Sequence, residues 1–235
     1  MDSGDQNWLP LESNPEVINP YFKKMGFDTE KFQFQDLLST DEWAQEMIKQ
    51  PCLAVILLFP IKESTEKYDE AQQEKIDKEG QKVSENLFYM YQYAQNACGT
   101  IAAIHSILNG DTSLIKEGSI LHKFYQDTKN LSPEERGKYF NKSESIKESH
   151  VEAVNNESNQ TQAQDEVNTH FIAFIHKDGY LYEMDGRKKS PINHGETNEQ
   201  KLLSDSCKVI KDVFMKRDPE ELNFATMVLA SPQEQ

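Results

Sequence analysis

From Cys52 to Phe59 the sequence runs without a polar side chain and stops at Pro60. No other stretch restricts the fold as strongly. Successive strand residues point to opposite faces, so a strand can be apolar throughout only where both faces are covered. The run is rich in Val, Ile and Leu and too short for a buried helix of ordinary length, so it reads as the central strand of a sheet. It is also far too short to span a bilayer.

Helices are predicted around this strand. Residues 14–25 carry Asn14 as a cap with Pro15 at the first helical position, and 41–49 carry Asp41 as a cap. Residues 64–94 begin as a very polar helix and turn aromatic from Leu87 to Tyr93, and 98–109 place Ile101, Ile104 and Leu108 at helical spacing before Gly110. Two amphipathic stretches follow, 114–128 and 133–147, the second opened by Ser132 and Glu135 as a capping box. Residues 148–168 are polar and aperiodic and read as a long loop, a feature that in a compact domain is usually functional or disordered. Two strands, His170–His176 and Tyr180–Asp185, a helix near 197–216 and a strand from Phe224 to Leu229 complete the chain. With no linker and no repeat, its 235 residues are expected to form one domain of the α/β (α+β) class.

Charge narrows the partners. Forty acidic residues against 25 basic ones give a net charge of −15. Nucleic-acid binding draws most of its affinity from a basic face, and anionic membranes attract basic segments, so no nucleic acid and no membrane is expected. A basic protein partner suits the charge, although acidity also serves solubility alone. Cys52, Cys98 and Cys207 are odd in number and far apart, which speaks against a disulfide framework and for a reducing compartment. Met1 to Asn7 are acidic and polar, unlike a signal or transit peptide, so a cytoplasmic location is expected. His105, His122, His150, His176 and His194 show no ligand spacing, so neither metal nor cofactor is expected.

Three local patterns carry chemistry. A hairpin turning at Lys177 and Asp178 would set His170 opposite Asp185, where a carboxylate can orient an imidazole and stabilise its cation. The same pair could equally be a cross-strand salt bridge. Cys98 stands in the first turn of its helix, where a thiolate is stabilised, with Ala97 and Gly99 leaving room for a substrate backbone. A buried structural cysteine would look the same. Gln92, six residues earlier, could donate to an oxyanion together with the N–H of Cys98, or could be an ordinary surface glutamine.

Taken together, the strings Gln92 to Thr100, His170 to Ala173 and Leu181 to Arg187 resemble the ubiquitin carboxyl-terminal hydrolases, a family of cysteine peptidases. Trp8 to Glu16, Ser132 to Arg136 and Pro191 to Thr197 are similar to its short, single-domain members, and the resemblance spans about residues 6 to 230. It implies a papain-like fold, with a central antiparallel sheet flanked by helices and a knotted chain whose crossover loop, at 148–168, passes over the active site. It further implies Cys98 as nucleophile, His170 as base and acid, Asp185 as orienter and Gln92 as oxyanion donor. Pro10, Leu11, Glu12, Asp36 and Thr169 match positions that touch the modifier. The implied enzyme is a monomer that removes small or disordered adducts from the C-terminal glycine of ubiquitin, or of a ubiquitin-like modifier. A slow protein that mainly holds monoubiquitin is the alternative.

Overall fold

The computed structural model describes residues 8–156, 158 and 168–233. Its core is a six-stranded antiparallel sheet in the order β1-β6-β2-β3-β4-β5. The strands are β1 (Gln33–Asp36), β2 (Cys52–Pro60), β3 (Thr169–Lys177), β4 (Tyr180–Met184), β5 (Ile192–Glu196) and β6 (Ala225–Ala230). The apolar run is β2, an interior strand paired with β6 on one side and β3 on the other. Its side chains divide by parity. Ala54 and Ile56 join Ala173, Ile175, Met227 and Leu229 in one core. Val55, Leu57 and Phe59 join Ile172, Phe174 and Val228 in a second core on the opposite face.

Helices α1 (Pro15–Met25), α4 (Cys98–Leu108), α5 (Ile120–Thr128), α6 (Pro133–Lys142) and α7 (Glu144–Val154) build the first core. The second is covered by α2 (Glu42–Glu46), by α8 (Leu202–Val209) and by the π-helical turn Ile210–Met215 that continues α8. In α1, Val17, Ile18, Tyr21, Phe22 and Met25 form an inward stripe, and Asn14 caps the helix by accepting from the Glu16 N–H at 2.9 Å. Burying a side chain such as Phe22 contributes about 2–3 kcal/mol. Every residue of α4 is buried, including the polar Thr100, His105 and Ser106. The remaining helix, α3 (Glu63–Glu79), fully buries only Thr65 within its span, with Tyr68 and Ile76 half-buried. No helix among the described residues is long and apolar enough to cross a membrane.

Several sequence expectations need correction. The polar helix ends at Glu79, and the aromatic stretch after it is irregular in structure and largely buried from Leu87 to Met90. The stretch 133–147 is broken at Ser143, whose extended backbone ends α6 and begins α7. Residues 148–154, read as loop, belong to α7 and bury Ser149, His150, Ala153 and Val154. The rest of the expected crossover loop lies mainly outside the described residues, and so does the knot that depends on its path. Strands β1 and β5 were not foreseen; they are the short edge strands of the sheet, partly exposed and too polar to alternate clearly.

The β3–β4 hairpin differs in register. Its turn is Asp178-Gly179, with Lys177 opposite Tyr180. Both turn residues have positive φ, 48° and 84°, the requirement of the tight hairpin turn whose twist matches the strands. The pairing is therefore shifted by two positions from the expected one, and the ladder stops at Ala173 opposite Met184. His170 and Asp185 are not ladder partners. Their meeting has another cause, described next.

Candidate active site

Strand β3 extends past the end of β4, and in this overhang His170 is paired to Phe59 of β2. Asp185 is the first residue after β4. The chain turns there, with the Lys188 N–H donating to the Asp185 carbonyl at 3.0 Å, and the turn brings the carboxylate back to the imidazole. His170 Nε2 lies 2.7 Å from Asp185 Oδ1, and both residues are buried. Oδ1 also accepts from the Arg187 N–H at 2.9 Å. With Nε2 committed to the carboxylate, Nδ1 is the free ring nitrogen; it is buried and has no hydrogen-bond partner in the protein. Burial disfavours the Asp185 carboxylate, but the His170 cation and its hydrogen bond outweigh that and hold it below the usual range.

Cys98 is the first residue of α4. Ala97 precedes it and offers no side-chain cap, so the opening N–H groups at this helix end favour an anion there. The helix packs on β3, and the Cβ position of Gly99 comes within 3.3 Å of the Phe171 ring and 3.4 Å of Leu11. The room at Gly99, expected for substrate, is thus used for close helix–strand packing, which sets the sulfur beside His170. Burial raises the thiol, yet His170 and the Phe171 backbone N–H more than offset it, leaving Cys98 below an ordinary cysteine. His170 is raised to about 9, because Asp185 and Cys98 overcome the burial that would lower it. The two shifts together favour a thiolate–imidazolium pair, although Nδ1 and sulfur do not close a regular hydrogen bond.

Gln92 is half-buried and tied to the same turn: its N–H donates to the Gly186 carbonyl at 2.8 Å, and a Cβ on Gly186 would lie 3.2 Å from that of Gln92. Its side-chain amide donates one N–H to Ala94 at 3.0 Å, which leaves the second for another acceptor. The structure therefore brings Gln92, Cys98, His170 and Asp185 into one site.

The five residues expected to meet a modifier separate into two groups. Pro10 and Leu11 are buried, and Leu11 belongs to the core, so they support the surface without forming it. Glu12 and Asp36 line one open groove of about 800 Å³ together with Asn14, Glu16 and Gln35. Thr169 begins β3 beside His170 and is half-buried. Sequence reasoning overlooked the Phe171 N–H, the turn residues Arg187 and Lys188, and Tyr89, whose hydroxyl shares its one proton between the carbonyls of Asp185 and Lys188. The side-by-side Arg187 and Lys188 after an acidic residue were the available signal. His105, in the same helix as Cys98, is a core residue: it is fully buried, accepts from the Met90 N–H at 3.1 Å and stacks on Tyr89.

Known proteins are similar to this chain over most of its length. Residues 8–215 match the family described as ubiquitin carboxyl-terminal hydrolase, family 1. A ubiquitin carboxyl-terminal hydrolase of Drosophila melanogaster is 42% identical over 228 residues, covering 97% of this chain and 99% of that one. The ubiquitin carboxyl-terminal hydrolase isozyme L1 of Homo sapiens is 38% identical over 221 residues, covering 94% and 96%. Among solved structures, the Trichinella spiralis UCH37 catalytic domain bound to ubiquitin vinyl methyl ester shares the fold, with a TM-score of 0.75, 23% identity and 97% of each chain covered. The chain belongs to the ubiquitin carboxyl-terminal hydrolase family.

Proposed function

We propose that this protein is a thiol-dependent deubiquitinating hydrolase that cleaves the bond following the C-terminal glycine of ubiquitin. The observation that carries the reading is the buried Cys98–His170–Asp185 arrangement at the open N-terminus of α4, in a chain of this family. The Cys98 thiolate attacks the glycine carbonyl carbon. The developing oxyanion is held by the Cys98 N–H and the second N–H of Gln92. His170, protonated at Nδ1, gives that proton to the departing nitrogen, oxygen or sulfur, and a thioester remains. His170 then takes a proton from water, whose oxygen attacks the thioester. The thiol leaves, and the free carboxylate of ubiquitin is released. Asp185 keeps its negative charge throughout and orients the ring.

The acidic groove at Glu12 and Asp36 suits the basic tail of a ubiquitin-like modifier. Leu11, packed on Gly99, leads from the catalytic helix directly into that groove. As the family resemblance implies, small or disordered adducts are the preferred substrates. Its three cysteines are all free and buried, which suits a reducing, cytoplasmic setting, and we read the enzyme as a monomer. The test compares ubiquitin bearing a small fluorescent C-terminal amide with folded diubiquitin. Rapid turnover of the first and poor turnover of the second are expected. Efficient cleavage of folded chains, or no cleavage of either, would refute the reading.

A further inference from the structure

The turn that carries Asp185 hides a second ionic cluster. Lys189 points outward and pairs with Asp77, its side chain 71% exposed, whereas Lys188 turns inward and is 12% exposed. The Lys188 ammonium has three N–H donors and meets three acceptors: Glu183 Oε1 at 2.7 Å, Gln72 Oε1 at 2.9 Å and Asp69 Oδ1 at 3.1 Å. Glu183 is 1% exposed, and its other oxygen is 2.8 Å from His194 Nε2. Asp69 is also 3.7 Å from Arg217, which lies over the Tyr68 ring. These are the charged and titratable groups that face the ammonium: Asp69 and Tyr68 from α3, Glu183 from β4, His194 from β5, Arg217 beyond the π-helical turn, and Asp185 in the turn itself.

Burying such a pair rarely adds net stability, because desolvation consumes the Coulombic gain. A use beyond stability is the more economical reading, and the geometry indicates one. Lys188 is fixed at both ends. Its backbone carbonyl accepts from Tyr89, which also holds the Asp185 carbonyl, and its own N–H donates to Asp185. Its ammonium also acts electrostatically on the Asp185 carboxylate, favouring the ionised form that His170 needs. Glu183, in β4, and Asp185, just after its end, are two positions apart and both buried, so without a nearby cation the two carboxylates would repel each other.

We propose that Lys188 is a positioning residue for the catalytic triad, anchored by Glu183, which fixes the turn that carries Asp185 beneath His170. This rests on the triad reading above. It also assigns a task to α3, which fully buries only Thr65: the helix supplies Asp69 and Gln72 to hold the ammonium in place.

The experiment compares Lys188→Met, Lys188→Arg and the double variant Glu183→Gln/Lys188→Met, using kcat and KM on the small ubiquitin amide from pH 5 to 9. The double variant removes both charges and leaves no unpaired buried ion, so its folded state is retained. Lys188→Met and the double variant should each lose about tenfold or more in kcat with KM changed less than about twofold. Without the ammonium, Asp185 gains its proton at higher pH, so the acid limb of kcat/KM should move up by about half a unit or more. Lys188→Arg should recover most of the rate. A folded double variant with wild-type kcat and an unmoved acid limb would overturn the proposal. So would loss of the fold in the double variant, since the pair would then be structural. Failure of the triad reading is separate: it would appear as activity retained by Cys98→Ala.

Discussion

Replacing Asp185 by Asn isolates the charge of the triad's third member. The substitution nearly preserves shape, and the amide oxygen can still accept from His170 Nε2, so the ring need not turn. What disappears is the negative charge 2.7 Å from the imidazole. His170 is raised from 6.5 to about 9, a preference of about 3 kcal/mol for the imidazolium. Burial opposes that preference, so the favourable contributions of Asp185 and Cys98 together exceed it. If Asp185 supplies half of the net or more, Asp185→Asn costs about 1.5–3 kcal/mol, or roughly 10- to 150-fold in kcat/KM. The sign of the pH effect follows. Cys98 lies below an ordinary thiol and His170 at about 9, so the ion pair is present between the two and is lost as pH rises through the His170 value. Without Asp185 the imidazolium loses its proton at lower pH, and the alkaline limb should move down toward 6.5. Turnover of the fluorescent ubiquitin amide across pH, with Cys98 alkylation by iodoacetamide in parallel, gives both quantities. An unmoved alkaline limb, or a loss of less than about twofold, would refute this electrostatic role for Asp185.

Other consequences can be checked independently. Burial pushes Cys52 up to about 12 and Cys207 up to about 11, so both should resist alkylation in the native protein at pH 8, and Cys52→Ala and Cys207→Ala should keep their turnover. Gly137→Ala would favour α6 by about 1 kcal/mol on helix propensity alone. Its new methyl group, however, would collide with the Tyr91 backbone carbonyl, so a net destabilisation of about 2 kcal/mol or more is expected from denaturant melts. Asp36→Lys reverses a charge in the acidic groove and should weaken ubiquitin binding by about tenfold or more at low salt, with the deficit shrinking as salt rises. Equal affinities measured by titration at low salt would remove the groove from the binding surface.

Legibility of the sequence varied with the strength of the local signal. The run at Cys52 to Phe59 declared an interior strand because a strand in the centre of the sheet, covered on both faces, has no polar side chain to interrupt it. The caps at Asn14 and Ser132 declared their helices because a side chain must take the first orphan N–H groups. The edge strands β1 and β5, by contrast, are short and partly exposed, and nothing in their composition separates them from loop. The hairpin register was misread because Gly179, not Lys177, supplies the positive φ beside Asp178 that the turn requires. His170 and Asp185 nevertheless meet, through the turn after β4 rather than through the ladder. The Lys188 cluster was invisible for a different reason. A lysine followed by a second lysine gives no indication of which one turns inward until α3 brings Asp69 and Gln72 against it.

The most direct test of the triad reading uses ubiquitin carrying a thiol-reactive Michael acceptor at its C-terminus, with the adduct mapped by mass spectrometry. The wild-type protein should form a single adduct, at Cys98. Cys98→Ala should form none while still binding ubiquitin, and Cys52→Ala/Cys207→Ala should label fully. An adduct at Cys52 or Cys207, or turnover by Cys98→Ala above about a hundredth of wild type, would contradict the account, because loss of a true nucleophile costs orders of magnitude.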